Sequence, residues 1–530
     1  MGLSAESNRT SAKIPALAVA AGILLSRVAG LVRDRAFAHY FGNSDAADAW
    51  RAAFRIPNFL QNLFGEGVLS ASFIPVYARL NAEGHKKEAV QLAEAVFALL
   101  LFITTIIVVA GIFTTPWLID LLAPGFHGDK RLLTIKLVQT LFPGAALLVL
   151  SAWCLGILNS HHKFFLSYSA SVIWNVAMIA ALIWGGHQYP HAESRLTVLL
   201  AIGSVIGSGL MFAVQLLTVL RFLRPLDLHL DLTTSHVLVV VRNFFPVFLS
   251  RGVVQISAYI DSWLASFLGT GAVSALGYAQ TLYTLPVSLF GMAVSAAELP
   301  AMSSTLGTQA EIADALRQRL RQGLHQISFF VIPSAVAFVV LGDVVVATIY
   351  RSGQFQTADV LYVWGVLAGS AVGLLASTSG RLYSSAFYAL RNTRTPLKFA
   401  VLRVALTLGL GYLCALPLPR YLGLAQRWGT AGLTLSAGVA GWLEFLLLRN
   451  ALHKQIGRVE SAGLRIAKLW LVALVAAAVS FGVKRVLPFR APLLLEPSVL
   501  LCYGAIYLSV TQWMGIASLG AVERLFARRR

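Results

Sequence analysis

Charged residues lie inside a segment that otherwise has the composition of a membrane helix. The stretch "LLSRVAGLVRDRAFAHYFG" (24–42) holds Arg27, Arg33, Asp34 and Arg35. A charge at bilayer depth costs at least about 2.5–3.5 kcal/mol. The helix therefore either stays out of the membrane, or turns its charges toward water, toward one another or toward an anionic ligand.

Two roles for these side chains fit the spacing. Arg27 and Asp34 are seven residues apart and share a helix face, as do Ser26 and Arg33, so an ion pair inside a helix bundle is one interpretation. The other is an anion-binding wall facing a wet cavity, because a planar guanidinium group binds two phosphate oxygens at once. Small residues at every fourth position from 22 to 30 predict close contact with a neighbouring helix.

The next segment, 46–78, also combines charges with residues that interrupt a helix. It contains Asp48, Arg51, Arg55 and Glu66, together with Pro57, Pro75, Gly65 and Gly67. A proline removes a backbone donor, and freed backbone groups at membrane depth survive only where they are buried in protein or line a cavity. We expect Glu66 to line a cavity, and Arg51 and Arg55 either to line it or to cap its outer rim.

The composition of the whole chain is that of a membrane protein. Its 530 residues are 57% hydrophobic and only 12% charged, whereas soluble domains carry about 25% charged residues. The net charge of +19 includes no basic cluster with interleaved aromatic residues, so we expect no nucleic-acid partner. Cys154, Cys414 and Cys502 lie far apart in apolar runs, which is neither a disulfide nor a metal-binding spacing.

Apolar stretches of about 20 residues, the length needed to cross a bilayer, recur along the chain. They predict an all-α polytopic membrane protein with roughly 14 transmembrane helices, near 14–41, 46–78, 88–119, 133–158, 164–185, 196–220, 236–268, 272–305, 324–349, 358–389, 396–415, 429–448, 465–483 and 493–518. The first is expected to be an uncleaved helix, because its apolar run continues past Arg27. Lysine and arginine concentrate in alternate loops, which predicts that both termini are cytoplasmic.

The sequence contains an internal echo. "LSR" at 25–27 recurs at 249–251, and "NLFGEGVLSASFIP" (62–75) is echoed by "SLFGMAVSAAELP" (288–300). The second copy begins about 224–226 residues after the first, which matches helices 1 and 2 to helices 7 and 8. Because the shift of six spans is an even number, both copies enter the membrane from the same side. This predicts two pseudo-symmetric six-helix lobes. The predicted divisions are 1–222, 223–450 and a C-terminal segment of two further helices, 451–530.

Charges recur in the second repeat, whereas motifs for catalysis are lacking. Arg251, Asp261 and Glu298 lie in helices 7 and 8, and Arg381 in helix 10, as a central cavity between two lobes would require. The adjacent histidines at 161–162 project in different directions and sit at a loop, so we expect no metal site. No P-loop lysine motif occurs, so we do not expect ATP to be the fuel on this chain. With no other catalytic motif we expect neither an enzyme nor a bound cofactor, and the sequence does not decide between the membrane potential and an ion gradient as the energy source.

Several motifs resemble those of the MurJ (MviN) family of lipid II flippases, in the MOP exporter superfamily. The matching stretches are "SRVAGLVRD" (26–34), "RIPNFL" (55–60), "LFGEG" (63–67), "FIPVYA" (73–78), "APGF" (123–126) and "FYALRNTRTP" (387–396). The resemblance implies two MATE-like six-helix lobes around a central cavity, plus two C-terminal helices that form a groove for a lipid tail. It also implies substrate-binding roles for Ser26, Arg27, Arg33, Asp48 and Glu66.

The activity implied by this family is transport of undecaprenyl-pyrophosphoryl-MurNAc-pentapeptide-GlcNAc from the inner to the outer leaflet of the bacterial cytoplasmic membrane, for peptidoglycan synthesis. The implied partners are this lipid-linked precursor and the membrane lipids. Other cell-wall synthesis proteins are candidate partners, and a monomer is expected.

The sequence departs from the family pattern at two places. Gln61 and Asn62 stand where the family often has a basic pair, and Thr281 and Thr284 replace an arginine and a glutamate in helix 8. We expect Arg251, at the repeat position of Arg27, to supply the charge missing at Thr281.

Three other functions stay open at this point. They are export of another polyprenyl-linked oligosaccharide, cation-coupled drug antiport, and a non-transporting scaffold for wall synthesis. A drug antiporter would favour a net-acidic cavity, whereas the charges identified here are net-basic. A cationic cavity lowers the cost of moving a pyrophosphate headgroup through the bilayer, which favours the flippase.

Overall fold

The computed structural model describes residues 13–69, 72–223, 237–242, 244, 259–303, 308–459, 463–486 and 492–516. Within these ranges the regular structure is helical, and the only β-type pairing is an isolated bridge between Ser352 and Phe355. Nine segments of the described chain are helical, long and apolar enough to cross a membrane. This confirms the all-α membrane class, while the total of 14 spans stays a prediction.

The chain divides into two compact units between Trp263 and Leu264. In the first unit the helices are α1 (Lys13–Phe41), α2 (Asp45–Ala53), α3 (Arg55–Leu60), a π-helix (Gln61–Leu69), α4 (Ile74–Ala82), α5 (Lys86–Leu122), α6 (Gly128–Ser160), α7 (Phe164–Gln188) and α8 (Glu193–Val219). A short helix, α9 (Ile260–Ala265), spans the division.

The second unit continues with α10 (Ala272–Pro286), a second π-helix (Val287–Met292), α11 (Ala293–Ser303), α12 (Gln309–Val340), α13 (Gly342–Tyr350), α14 (Thr357–Val372) and α15 (Leu374–Ala389). It ends with α16 (Arg394–Ala415), α17 (Pro417–Tyr421), α18 (Gly429–Ile456), α19 (Gly463–Val486) and α20 (Pro492–Trp513). The backbones of α14 and α18 touch at two glycines, because a Cβ built on Gly373 would lie 2.5 Å from the Cα of Gly438.

The predicted second span, 46–78, is a series of short helical pieces. Ser44 caps α2 by accepting a hydrogen bond from the backbone N–H of Ala47 at 3.3 Å. After α3, which contains Pro57, the backbone widens into the π-helix that carries Gly65 and Gly67. The helix is therefore interrupted where the sequence predicted breakers.

Both copies of the internal echo contain a π-helix. The "LFG" at 63–65 lies in the π-helix Gln61–Leu69, and the "LFG" at 289–291 lies in the π-helix Val287–Met292. π-Helices are rare and frequently occur at functional sites. The same unusual backbone at two matching sequence positions supports the duplication that the sequence predicted.

The last two helices pack against α12 through a buried apolar core. Its residues are Phe329, Ile332, Val336, Ala337, Leu341, Val344, Leu469, Val472, Ala473, Ala476, Ala477, Val499, Tyr503 and Tyr507. At the far end of the contact Lys484 pairs with Asp343, and Arg351 Nη1 lies 3.4 Å from Glu496 Oε1. Helices α19 and α20 are thus firmly attached within the second unit.

The small residues of α19 bring this helix against α12. From the sequence we expected Ala476, Ala477 and Ala478 to leave room for a lipid chain. Ala476 and Ala477 are instead fully buried in the shared core, and Ala478 alone of the three is exposed. The groove for a lipid chain that the sequence predicted at these alanines is therefore absent at Ala476 and Ala477.

A tyrosine of α20 replaces a hydrogen bond that α12 lacks. Pro333 has no N–H, so the carbonyl of Phe329 loses its helical partner. The hydroxyl of Tyr507 donates to that carbonyl at 2.7 Å, and the hydroxyl of Tyr503 donates to the carbonyl of Pro333 at 2.8 Å. The carbonyl groups of Phe329 and Pro333 are thus both hydrogen-bonded by α20, which packs on α12.

Replacing Tyr507 with phenylalanine should therefore destabilise the protein. We expect Tyr507→Phe to cost about 1–3 kcal/mol, because a buried carbonyl is left unsatisfied, and thermal unfolding of the purified protein would measure it. Tyr412→Phe is the matched control, since Tyr412 is 53% exposed. Adding Pro333→Ala restores a backbone donor and should recover most of the loss. Equal melting temperatures for Tyr507→Phe and Tyr412→Phe would contradict this role.

Candidate substrate-binding site

One face of α1 contacts α7 through polar side chains spaced one heptad apart. The hydroxyl of Ser171 donates to Ser26 Oγ at 2.7 Å, and Arg33 Nη1 donates to Asn175 Oδ1 at 3.0 Å. Close approach is possible because a Cβ on Gly22 would lie only 3.0 Å from the Cβ of Tyr168, so any larger residue would push the helices apart. The structure therefore confirms that Ser26 and Arg33 share a face and that α1 approaches α7 closely at Gly22 and Ser26. The predicted close contact does not extend to Gly30, where a Cβ would meet nothing within 4 Å.

Asp34 lies between two guanidinium groups. Arg33 donates to Asp34 Oδ1 from Nε at 3.1 Å and from Nη2 at 2.9 Å, while Arg51 Nη2 is 3.8 Å from Asp34 Oδ2. Each arginine also faces an aromatic ring, with Arg33 Cζ 5.9 Å from the Phe54 centroid and Arg51 Cζ 5.2 Å from the Phe37 centroid. Such contacts stabilise a desolvated cation. Two arginines and one aspartate leave one net positive charge.

The space beside this cluster is nearly filled. Arg33, Asp34 and Arg51 border a void of about 10 Å³, roughly the volume that one water molecule requires. The cluster therefore fixes α1 relative to α2 and α7.

Arg27 differs from Arg33 in its surroundings. It is exposed, and it makes no ion pair with a carboxylate in the described part of the chain. Asp34 lies about 10 Å further along the helix axis and pairs with Arg33 and Arg51 instead. The ion pair between Arg27 and Asp34 that the sequence suggested is therefore wrong, because Asp34 pairs with Arg33 and Arg51.

Asp48 is sealed in an ion pair. Its side chain is fully buried, and Lys130 Nζ lies 2.6 Å from Asp48 Oδ2 and 2.9 Å from Asp45 Oδ1. The ammonium group also lies 4.4 Å from the ring centroid of Phe126. Asp48 thereby attaches α2 to the start of α6. Sequence reasoning placed Lys130 in an outer loop and missed this partner.

Arg55 is tied to the segment that precedes α9. The hydroxyl of Tyr259 donates to the backbone carbonyl of Arg55 at 2.8 Å, and Arg55 Cζ lies 5.6 Å from the Tyr259 ring centroid. Asp261 acts electrostatically on Arg55 as well. The sequence left open whether Arg55 lines a cavity or caps its outer rim. The contact with Tyr259 does not distinguish between these two positions.

Two predicted site residues fall outside what the structure describes. The backbone at Glu66 lies in the first π-helix, but its side chain is outside the described residues, and Arg251 lies outside them entirely. Their predicted roles stay predictions.

The second unit contains ionisable residues that sequence reasoning missed. Arg403 Nη1 lies 3.1 Å from Glu444 Oε2, which joins α16 to α18. Tyr283 of α10 interacts electrostatically with Arg403 and Arg381. Arg403 and Glu444 lie in predicted spans that are apolar overall, and they were overlooked for that reason. An ionisable residue inside a membrane span is itself an indication of a functional site.

Three polar positions of the predicted eighth span, 272–305, are described in the second unit. Glu298 Oε2 lies 3.3 Å from Arg319 Nη1. Thr281 and Thr284, which replace charged residues of the family pattern, donate to backbone carbonyls of their own helix, at Gly277 and Gln280. These two hydroxyls bring no charge to the face that they occupy.

Neutralising Asp34 should destabilise the first unit. We expect Asp34→Asn to cost about 3–5 kcal/mol, because it leaves two partly buried guanidinium groups without their carboxylate. The control is Asp120→Asn, which breaks the exposed pair with Arg131 and should cost less than about 1 kcal/mol. Melting temperatures in the same detergent give the comparison. If Asp34→Asn melts like Asp120→Asn, the cluster does not stabilise α1.

Comparison with known proteins finds the same family across most of the chain. Residues 37–492 match the family model of the lipid II flippase MurJ. The lipid II flippase MurJ of Burkholderia cenocepacia is 32% identical over 450 residues, covering 83% of each chain. A probable lipid II flippase MurJ of Rhizobium tropici is 30% identical and covers 97% of this chain and 96% of its own.

Solved structures give a matching fold. A lipid II flippase MurJ in an inward closed conformation superposes with a TM-score of 0.75 at 25% identity, over 94% of this chain and 98% of that one. An inward-facing multidrug-resistance transporter of the MATE family superposes with a TM-score of 0.62 at 18% identity, over 80% of this chain and 94% of its own. The second likeness concerns the fold alone.

Proposed function

Since the chain belongs to the lipid II flippase MurJ family and is a lipid II flippase, we propose that it carries the lipid-linked peptidoglycan precursor from the inner to the outer leaflet by alternating access of two lobes. The observation that carries this is the family match over residues 37–492. The MATE likeness, at 18% identity, gives no support to a drug antiporter.

The chain is a multi-pass protein of the bacterial inner membrane. We further propose that both termini are cytoplasmic, because lysine and arginine concentrate in the loops that this orientation places inside. A transporter needs no catalytic residues, and we propose transport without covalent chemistry. The membrane potential supplies about 2.3 kcal/mol per charge per 100 mV, enough to bias the return of a charged cavity.

Arg27 is the residue that we assign to the anionic headgroup. It is exposed and has no carboxylate partner among the described residues, whereas Arg33 is held by Asp34 and Asn175. A guanidinium group that is already paired is partly neutralised, so an unpaired one attracts a pyrophosphate more strongly. Bidentate hydrogen bonds from Arg27 would then form the main contact.

The other proposed site residues act around this contact. Ser26 and Arg33 position α1 through their bonds to α7, and Asp48 positions α2 through Lys130. From the sequence, Glu66 and Arg251 join them as substrate-binding residues. The lipid-linked precursor and membrane lipids are the partners, and a monomer suffices for this scheme.

The lipid tail would follow the face of α19 that points away from α12. Leu471, Leu474, Val475 and Val479 are 47–60% exposed there, next to the exposed Ala478. Moving a tail from lipid to this face gains little, because neither environment is water. The two C-terminal helices would therefore guide the tail without holding it tightly.

Depletion of the resident flippase in a bacterium that expresses this chain tests the proposal. Lipid II in each leaflet is measured with a reagent that reaches only the outer one. We expect the chain to restore both growth and lipid II in the outer leaflet. Restored growth without outer-leaflet lipid II would overturn transport and favour the scaffold. Transport of a different polyprenyl-linked oligosaccharide instead would overturn the cargo.

Loss of Arg251 should abolish complementation in the same strain. Arg251 is proposed to replace the charge missing at Thr281, so Arg251→Ala should fail to support growth, and Thr281→Arg in that background should partly restore it. Arg391→Ala, which removes an arginine predicted to lie in a loop, is the control. Growth of Arg251→Ala equal to that of the control would refute the compensation.

A further inference from the structure

A large cavity lies within the second unit, and its lining includes none of the residues assigned above to the cargo. It has a volume of about 1020 Å³ and is lined by residues of α12, α15, α18 and α19 and by those that follow α20. Ligand pockets in proteins typically measure about 300–1,000 Å³. The cavity is thus large enough for most of a lipid headgroup and the first part of its chains.

Four basic side chains line the cavity without acidic partners. Arg321, Arg449, Arg465 and Lys468 come from three different helices, and no described carboxylate lies among the lining residues. None of the four makes an ion pair with a described residue, and the nearest polar contact is Arg465 Nη1 to His325 Nε2 at 3.5 Å. Clustered cations repel one another, so an anion bound among them would relieve that repulsion.

The walls beyond these charges are apolar and aromatic. Trp442 and Phe445 of α18 and Trp470 of α19 face the same cavity as the basic groups. The Trp442 indole N–H is already used, since it donates to the carbonyl of Val372 at 2.8 Å. The cavity is therefore cationic on one part and apolar on another, as the boundary between lipid phosphates and acyl chains is.

We propose that this cavity binds an anionic glycerophospholipid of the cytoplasmic leaflet, with its phosphate among Arg321, Arg449, Arg465 and Lys468. The leaflet follows from the proposed orientation of the chain, which places these helix ends on the cytoplasmic side. Basic pockets between transmembrane helices on that side favour anionic lipids. A lipid there would join α19 to α12, α15 and α18 and so stabilise the attachment of the C-terminal helices.

Other occupants fit the cavity less well. A soluble anion would not use the aromatic walls. The chain's own C-terminal residues 517–530 carry four arginines and one glutamate, so their charge has the same sign as the cavity. The polyprenyl phosphate of the cargo shares the phosphate chemistry, and the experiment below separates it from a phospholipid.

Lipid binding to the purified full-length protein tests the proposal. Phosphatidylglycerol and phosphatidylcholine are titrated in turn and the bound species are counted by native mass spectrometry. We expect one phosphatidylglycerol to bind in preference to phosphatidylcholine, and Arg465→Gln/Lys468→Gln to weaken it about thirtyfold, since each basic residue near a lipid contributes roughly fivefold. Arg321→Gln alone, at an exposed residue, should weaken it about fivefold without risk to folding.

The matched control is Arg394→Gln/Lys398→Gln, which removes two exposed cations from the start of α16, outside the cavity. It should leave binding unchanged. Equal losses in both double variants, or no loss in the cavity variants, would overturn the site. Inorganic pyrophosphate competing as well as the lipid would indicate a soluble anion. Undecaprenyl phosphate binding there in preference to phosphatidylglycerol would assign the cavity to the cargo lipid and overturn the phospholipid.

Discussion

The cost of placing charge inside the membrane is the constraint on which the first unit depends. Helix α1 carries Arg33 and Asp34 at positions where an unpaired charge would be expensive. The structure meets this cost by placing the Asp34 carboxylate between Arg33 and Arg51, and by bonding Arg33 to Asn175. Because these partners come from α2 and α7, the electrostatic requirement also determines how the three helices pack. Arg27, by contrast, makes no ion pair within the described part of the chain, and on this we base its proposed role.

A second requirement concerns backbone groups. Where a membrane helix is interrupted, the freed donors and acceptors need new partners or a wet surface. At Pro333 the partner is the hydroxyl of Tyr507, which also explains why α20 lies where it does. At the two "LFG" sequences the interruption is a π-helix, present once in each unit. π-Helices frequently occur at functional sites, which makes both segments candidates for a role in transport.

The sequence predicted helices, interruptions and shared helix faces, because these follow from local periodicity. The seven-residue spacing of Ser26 and Arg33 correctly placed both on one face, and the small residues correctly indicated close packing at Gly22 and Ser26 but not at Gly30. The ion pair that the sequence suggested between Arg27 and Asp34 is wrong, because a shared helix face does not determine which side chains reach one another. Sequence reasoning also could not find Lys130 for Asp48 or Glu444 for Arg403, since those pairs join residues 82 and 41 positions apart.

The same limit applies to the C-terminal helices. Ala476 and Ala477 are small enough either to leave a groove or to admit a neighbouring helix, and composition alone does not distinguish these. The structure shows the second outcome, with both residues buried against α12. A tail groove is therefore expected on the opposite, exposed face, and the basic cavity beneath α19 becomes a separate feature with its own ligand.

We propose that Arg27, and not Arg33, receives the anionic headgroup. Arg33 is paired with Asp34, whereas Arg27 makes no ion pair with a described carboxylate. Equilibrium binding of lipid II to the purified protein tests this most directly. Arg27→Gln should weaken binding by at least about tenfold, the loss of a charge-assisted hydrogen bond, and Arg27→Lys should be intermediate, because it keeps the charge but not the bidentate geometry. If Arg27→Gln binds lipid II as tightly as the unmodified chain, the headgroup is held elsewhere and the account is wrong.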